Sequence, residues 1–169
     1  IIAGGVGSFE PRKLSLKDTE KYEEKSIFYA VKNKENFKNK KICIFGGGDS
    51  ALDWTLELSK FSQITLIHRR DEFRGAQHTL NEIKKLEKEG KISIKTPFQL
   101  DKIEGDQHLK SIDIKDDNGK VEKISTDMIL SFFGLVMKLG PIAEWGLNMD
   151  KKTISVNPFN FETNKKGIF

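Results

Sequence analysis

The sequence predicts an α/β fold: a parallel sheet built around a βαβ unit, with a small antiparallel β-meander inserted in it. Three observations carry this. The run at 41–45, Lys-Ile-Cys-Ile-Phe, has the β-branched and aromatic content of a buried strand and stops at Gly46-Gly47-Gly48. A helical period follows over 49–60, and then a second apolar run, Ile64-Thr65-Leu66-Ile67. Past residue 98 the pattern changes to short, half-polar alternating segments.

Each element has its own signal. Residues 6–40 are polar and rich in Lys and Glu, with Pro11 and Asn33 interrupting any long period, so linker and loop with one short helix are expected there. Within 49–60, Ala51, Leu52, Leu56 and Leu58 form an apolar face with Trp54 beside it. A long amphipathic helix is expected over 76–89, capped at its C-terminal end by Gly90. Strand, helix, strand and helix in this order read as a βαβ unit with a right-handed crossover. Ile92-Ser93-Ile94 alternates and is a candidate third strand. Segments 98–103, 109–114 and 121–124 read as the meander; Asp116-Asp117-Asn118-Gly119 joins the last two, and Asn-Gly is a hairpin-turn signal. The run 128–133 returns to an apolar, buried parallel strand that ends at Gly134.

Composition bounds the function. A chain of 169 residues suits one domain with short extensions. At this size roughly two thirds of the unfolded surface is buried, so no disulfide or metal staple is required. Lys and Arg number 29 against 25 Asp and Glu, a net charge of +4, which permits an anionic partner without identifying one. The lysines are spread along the whole chain, as on solvated faces, and not gathered into a nucleic-acid stripe. No apolar run approaches the roughly 20 residues that span a membrane. Cys43 is the single cysteine, inside an apolar run, so neither an internal disulfide nor a CxxC pair is possible. His68, His78 and His108 lie far apart without ligand spacing, so no metal site is expected.

The glycine run carries the first chemistry. Gly46-Gly47-Gly48-Asp49-Ser50-Ala51 fits G-x-G-x-x-G/A, directly after an expected strand and at the start of an expected helix. Gly46 permits the tight turn, Gly48 lets a pyrophosphate approach the backbone, and Ala51 lets the helix pack close to the strand. The free N–H groups of the first helical turn then face the anion, aided by the helix dipole. Asp49 or Ser50 is a candidate cap, and the Ser50 hydroxyl a candidate phosphate contact. The plain alternative is an ordinary glycine turn.

About 20 residues after the glycines of a Rossmann-like unit, the end of the second strand lies beside the adenine ribose, where an NAD site has Asp or Glu. Here that position holds His68-Arg69-Arg70, with Arg74 one helical turn later. Guanidinium groups make forked, charge-assisted bonds to phosphate oxygens, which suits the 2′-phosphate of NADP. The plain alternative is a solvated basic turn paired with Asp71 and Glu72.

These stretches carry a resemblance. The run 46–54, Gly-Gly-Gly-Asp-Ser-Ala-Leu-Asp-Trp, and the run 68–74, His-Arg-Arg-Asp-Glu-Phe-Arg, resemble the NADP-binding domain of thioredoxin reductase-like flavoproteins. Within them the chain is most similar to the thioredoxin reductase-type ferredoxin–NADP reductases, a match supported by Gly5-Val6-Gly7-Ser8-Phe9-Glu10-Pro11-Arg12 and by 139–147, Leu-Gly-Pro-Ile-Ala-Glu-Trp-Gly-Leu. Thioredoxin reductases carry a redox CxxC just before the glycine-motif strand. The corresponding stretch, 27–33, has no cysteine, so a thiol–disulfide relay is excluded there.

The resemblance implies an excised domain of a larger two-domain flavoprotein. Residues 1–10 would be a strand leaving an FAD domain, 11–160 the NADP(H)-binding domain, and 161–169 a strand returning, with the FAD motifs outside this sequence. The ends fit: Ile1-Ile2-Ala3-Gly4-Gly5 reads like the middle of a strand entering a turn, and Lys166-Gly167-Ile168-Phe169 like a turn leading into one. The implied function is positioning nicotinamide for hydride transfer with FAD in a flavin-dependent oxidoreductase, this fragment alone being inactive. No side chain is named as acid, base or nucleophile. The implied cofactor-binding residues are Gly46, Gly47, Gly48, Asp49, Ser50, Ala51, His68, Arg69, Arg70 and Arg74, with Gly134 bordering the nicotinamide. Ferredoxin or flavodoxin would be the electron partner of a homodimeric, cytoplasmic enzyme, with no nucleic-acid or membrane partner. Two alternatives stay open: another reductase of the same superfamily lacking CxxC, and a basic, non-enzymatic binding module.

Overall fold

The computed structural model describes residues 1–5, 7–151 and 153–169. Val6, within the stretch 5–12 quoted above, lies outside the described residues. In chain order the elements are β1 (Ser8–Pro11), β2 (Ile27–Phe28), β3 (Lys41–Phe45), α1 (Asp49–Leu58), β4 (Gln63–Ile67), α2 (Gln77–Lys88) and β5 (Ile92–Lys95). They continue with β6 (Gln99–Gly105), β7 (Leu109–Lys115), β8 (Val121–Ser125), β9 (Met128–Ser131), β10 (Leu135–Lys138), β11 (Met149–Asp150) and β12 (Thr153–Ile154). The chain divides into two compact units, Lys13–Phe133 and the pair of segments Ile1–Arg12 and Gly134–Phe169. The larger unit is therefore narrower than the 11–160 bracket drawn from sequence.

The larger unit is organised by a five-stranded sheet in the order β2-β9-β3-β4-β5, parallel throughout. Alternation along the strands decides its two faces. Ile42, Ile44, Ile64, Leu66 and Leu130 pack with Ala51, Leu52 and Leu58 of α1 and with Leu80 and Ile83 of α2. Cys43, Phe45, Ile67 and Ile129 pack instead with Leu109, Ile112 and Ile114 of β7. The meander, β6-β7-β8, is thus a separate antiparallel sheet covering the face that the helices leave open. A sheet buried on both faces reads as continuous apolar runs, which is why these strands stand out in the sequence.

Local chemistry ends the helices. Thr55 sits fully buried in α1 because its hydroxyl donates to the Ala51 carbonyl at 2.7 Å. Helix α2 closes in a Schellman arrangement: Gly90, at φ 71°, donates to the Glu87 carbonyl and Lys91 to the Leu86 carbonyl.

Two expectations in this unit are corrected. Of residues 6–40, read as linker and loop with one short helix, the part in this unit, 13–40, supplies the edge strand β2 and buries Tyr22, Ile27 and Phe37 in the core. Its apolar run, 27–31, is short and set among charged residues, and Tyr22 and Phe37 stand outside it; tertiary contacts such as the Tyr22 hydroxyl donating to the Gly105 carbonyl at 2.6 Å hold them. The Asn118-Gly119 pair is not the centre of a two-residue hairpin turn. Only Gly119 has positive φ, and the Asp116 carbonyl and carboxylate accept from the Gly119, Asn118 and Lys120 N–H groups, making a longer Asx-type turn.

In the smaller unit β1 pairs antiparallel with β10, and β11 with β12. The Asn164 side chain links its loops, accepting from the Asn148 N–H at 2.8 Å and donating to the Gly146 carbonyl at 3.1 Å. Residues 1–5 and 161–169, expected as strands, form none among the described residues. The Ile2 N–H donates to the Phe169 carbonyl, and 163–168 close a turn in which Thr163 N–H donates to the Ile168 carbonyl at 2.8 Å. Gly167, at φ 78°, and the Thr163-Asn164 pair supply turn chemistry there. Among the described residues no helix is long and apolar enough to cross a membrane.

Candidate functional site

The glycine run lies at the C-terminal end of β3, where β4 flanks one side and β9 the other. The connection direction reverses between those neighbours, and such a switch point leaves a crevice outside the strand ends. The three glycines do different work. Gly46 has φ 150°, and a Cβ there would sit 2.8 Å from the Ala51 Cβ and 2.9 Å from the Phe132 carbonyl oxygen. It is the close approach of α1 and β9 that excludes a side chain. A Cβ on Gly47 would run into the His68 imidazole. Gly48 has nothing within 4 Å of its absent Cβ, leaving open space before α1.

Gly48 is the N-cap of α1, extended at φ −98° and ψ 179°, and no side chain caps the helix. The Gly48, Asp49 and Ser50 N–H groups donate to no acceptor among the described residues. Three backbone donors at a helix start, beside the open space at Gly48, suit an anion. The candidate caps Asp49 and Ser50 do not act as caps. Ser50 is exposed, and the Asp49 carboxylate accepts instead from the Ala76 N–H at 2.7 Å.

The basic turn follows β4. Arg69, Arg70 and Arg74 are exposed and pair with no carboxylate among the described residues, Asp71 and Glu72 included. His68 differs from them. Its ring lies against Gly47, 5.1 Å from the Phe73 ring, and its backbone bonds both sides of the turn at Lys95 and Phe98. Burial, together with the three arginine charges, holds its pKa below the ordinary imidazole value, so the ring is uncharged at neutral pH. The three arginines make the cationic cluster, and the His68 ring lies against the glycine loop.

The turn is fastened to the loop. The Arg74 and Gly75 N–H groups donate to the Gly47 carbonyl at 2.7 and 3.2 Å. Gly75, which sequence reading passed over, is wedged against α1: a Cβ there would meet Leu52 Cδ1 at 2.5 Å and the Asp49 N and Oδ1 atoms at 3.1 Å. Its signal was a glycine closing the arginine run without any turn assigned to it. Gly47, expected as a cofactor-binding residue, has a packing reason as well in the His68 ring beside it.

Gly134 belongs to the smaller unit. It is exposed at φ 87°, and its carbonyl accepts from the Arg12 N–H at 3.0 Å where the β1–β10 pairing begins. In the larger unit the chain after β9 presents Phe133, whose ring lies 6.3 Å from the Phe45 ring. The Ser131 hydroxyl beneath is buried, with no partner among the described residues. Cys43 is 1% exposed, and burial pushes its thiol pKa up to about 12, so the sulfur stays protonated and inert.

Known proteins resemble this chain in sequence and fold. The model of a family described as pyridine nucleotide-disulphide oxidoreductase matches residues 1–169. A ferredoxin–NADP reductase of Pelagibacter ubique is 62% identical over 169 residues, covering 100% of this chain and 50% of that protein. One from Flavobacterium johnsoniae is 48% identical, covering 99% of this chain and 48% of that protein. The chain thus spans about half the length of the curated relatives it matches. Among solved structures, the thioredoxin reductase of Lactococcus lactis superposes with a TM-score of 0.79 at 28% identity, covering 96% of this chain and 54% of that one. The thioredoxin reductase of T. acidophilum superposes with a TM-score of 0.80 at 23% identity over 96% of this chain and 54% of that one, a likeness of fold. With the family model matching from end to end and relatives this close, the chain belongs to the pyridine nucleotide-disulphide oxidoreductase family.

Proposed function

We propose that Lys13–Phe133 is the NADP(H)-binding part of a flavin-dependent ferredoxin–NADP reductase. The observation that carries the reading is the cluster of three unpaired arginines tied through Gly47 to a glycine loop with free N–H donors. One anion subsite at α1 suits the pyrophosphate and a second at Arg69, Arg70 and Arg74 suits the 2′-phosphate, separated by one side of the switch-point crevice. Open space at Gly48 fits the close approach that a pyrophosphate needs. Ala51 packs the helix, and Ser50 offers its hydroxyl to phosphate. When bound, NADP(H) supplies hydride chemistry and FAD, held by the rest of the full-length protein, links it to single-electron transfer. This chain's own task is binding and orientation.

The wider reading follows the names of the relatives. Residues 1–10 and 161–169 connect this part to an FAD domain in the half of the relatives' length that the chain does not span. The apolar side chains exposed in the smaller unit, Phe9, Leu135 and Phe159 among them, supply surface for such a domain to cover. The full-length protein is then a cytoplasmic, homodimeric enzyme with ferredoxin or flavodoxin as electron partner. The inert Cys43 favours this acceptor over a disulfide.

The test is titration of NADP and NAD into the chain and into a variant lacking both Arg69 and Arg70, at two salt concentrations. Hydrogen bonds to a charged group contribute about 1.5–3 kcal/mol each, toward the low end at an exposed, screened site. The parent should prefer NADP about a hundredfold, less than the sum of its arginines because they share one anion. The variant should lose the preference and keep its weak NAD binding, and NADP binding alone should weaken strongly with salt. Equal parent affinities would overturn the reading.

A further inference from the structure

Asp49 begins α1 without capping it. Its Oδ1 accepts from the Ala76 N–H at 2.7 Å, 27 residues further along the chain. That bond joins the glycine loop to the far end of the arginine turn. Beside it run the two bonds from Arg74 and Gly75 to the Gly47 carbonyl. Gly75 fills the gap so closely that a Cβ would come within 3.1 Å of the Asp49 Oδ1.

A carboxylate suits a helix N-terminus, but it repels an anionic ligand approaching the same N–H groups. Its presence needs a compensating task, and the bond to Ala76 provides one: a charge-assisted acceptor holds an amide more strongly than a neutral oxygen. We propose that Asp49 is a positioning residue, whose carboxylate fastens the arginine turn to the glycine loop and so holds two anion subsites at a fixed separation. The inference rests on the NADP(H) reading above. A ligand with two anionic groups gains from a separation set before it binds, because less ordering remains to be done at that step. A ligand lacking the second group gains nothing. The fastening therefore acts on NADP and spares NAD.

The experiment combines two readouts on the full chain: calorimetric titration of NADP and NAD, and amide hydrogen exchange at Ala76 without nucleotide. In Asp49→Ala the NADP-to-NAD affinity ratio should fall about tenfold, equivalent to about 1.4 kcal/mol, while relief of the carboxylate's repulsion moves both affinities by a common factor. Ala76 should exchange at least tenfold faster. Asp49→Asn keeps an acceptor oxygen without its charge, so the NADP-to-NAD ratio and the Ala76 protection should fall between those of the parent and of Asp49→Ala. In a chain already lacking Arg69 and Arg70, Asp49→Ala should change the ratio no further. Gly75→Ala pushes on the same contact from the other side and should reproduce the selective loss, which covers a failure of Asp49→Ala to fold. Parent-like ratio and protection in Asp49→Ala would overturn the proposal, and so would an equal loss of both nucleotides. Equal parent affinities would overturn the NADP(H) reading; Ala76 exchange then decides the fastening alone, lost protection supporting it and kept protection overturning it.

Discussion

In the unit Lys13–Phe133 the large apolar side chains exposed among the described residues are Val121 and Phe133, while Tyr22, Phe37, Phe45, Ile44, Leu52 and Leu66 are at most 2% exposed. In the unit formed by Ile1–Arg12 and Gly134–Phe169 the balance is reversed. Phe9, Leu135, Trp145, Phe159 and Phe161 are exposed, Phe159 at 93%, and the buried apolar residue among those described is Leu147. The larger unit has a five-stranded sheet with a layer on each face; the smaller has two-stranded pairings, and a lone pair of strands is marginal in water. The difference teaches where this chain's stability resides. Burial on both faces of one sheet holds the glycine-loop unit together, whereas the second unit displays the apolar surface that a folded protein ordinarily covers.

Core truncation should separate the two units most widely. Leu66→Ala empties a fully buried site between sheet and helices and should cost about 2–5 kcal/mol, whereas Phe159→Ala should fall within about 0.5 kcal/mol. Urea unfolding of the two variants measures this, and similar midpoint shifts would break the comparison. Inside the larger unit, Gly47→Ala drives a methyl into the His68 ring and should destabilise by about 1–3 kcal/mol through overpacking. The same denaturation experiment reads it, with displacement of the His68 ring resonances as a second signal.

Gly48→Ser sharpens the contrast further. The added side chain meets open space and supplies a normal N-cap, so stability should rise by a few tenths of a kcal/mol. The hydroxyl then competes for the N–H groups that face the anion, and the proposed NADP and NAD binding should weaken together. Gly48→Val should weaken both nucleotides more, and parent-like calorimetry for it would leave the glycine loop with a structural role only.

The smallest expected effect is electrostatic. Paired lysines hold Glu57, Glu104 and Glu122, all in the larger unit, at a pKa of about 2 in place of the ordinary 4.5. Because these folded-state values are depressed, their contribution is fully present above the ordinary carboxylate pKa and is lost as pH falls through about 2. The groups are solvent-exposed, so the loss should be modest and shrink as salt rises. Urea midpoints across that acid range, at low and high salt, check it; a salt-insensitive decline would assign acid sensitivity elsewhere.

Much of the larger unit was legible in the sequence for a physical reason. Strands buried on both faces leave uninterrupted apolar runs, as at 41–45 and 64–67, and an amphipathic helix repeats its own period, as at 77–88. Strand β2 was less legible: it takes two residues of the short apolar run 27–31, at a sheet edge inside an otherwise polar stretch. The phosphate-loop motif was legible because its context is consecutive: strand, glycines, helix. What each glycine avoids was not, since His68 lies beyond α1 and β4, and the Asp49 carboxylate was mistaken for a helix cap because its partner Ala76 stands 27 residues away.

The sequence by itself determined the elements whose information is local: the strand–glycine–helix order, the Schellman stop at Gly90, and three arginines after the second strand of the βαβ unit. Tertiary structure alone decided which neighbours those elements acquired. It put β9 beside β3, where the Asp127 carboxylate accepts from the Lys41 N–H across 86 residues of chain, and so created the switch point at the glycine loop. It laid the meander over the sheet face opposite the helices, and it left His68 uncharged against Gly47 with the arginines unpaired outside. Local preference can specify a strand or a turn, but pairing and burial are set by residues that meet only after the chain has closed long loops, and these leave no mark on neighbouring positions in the sequence.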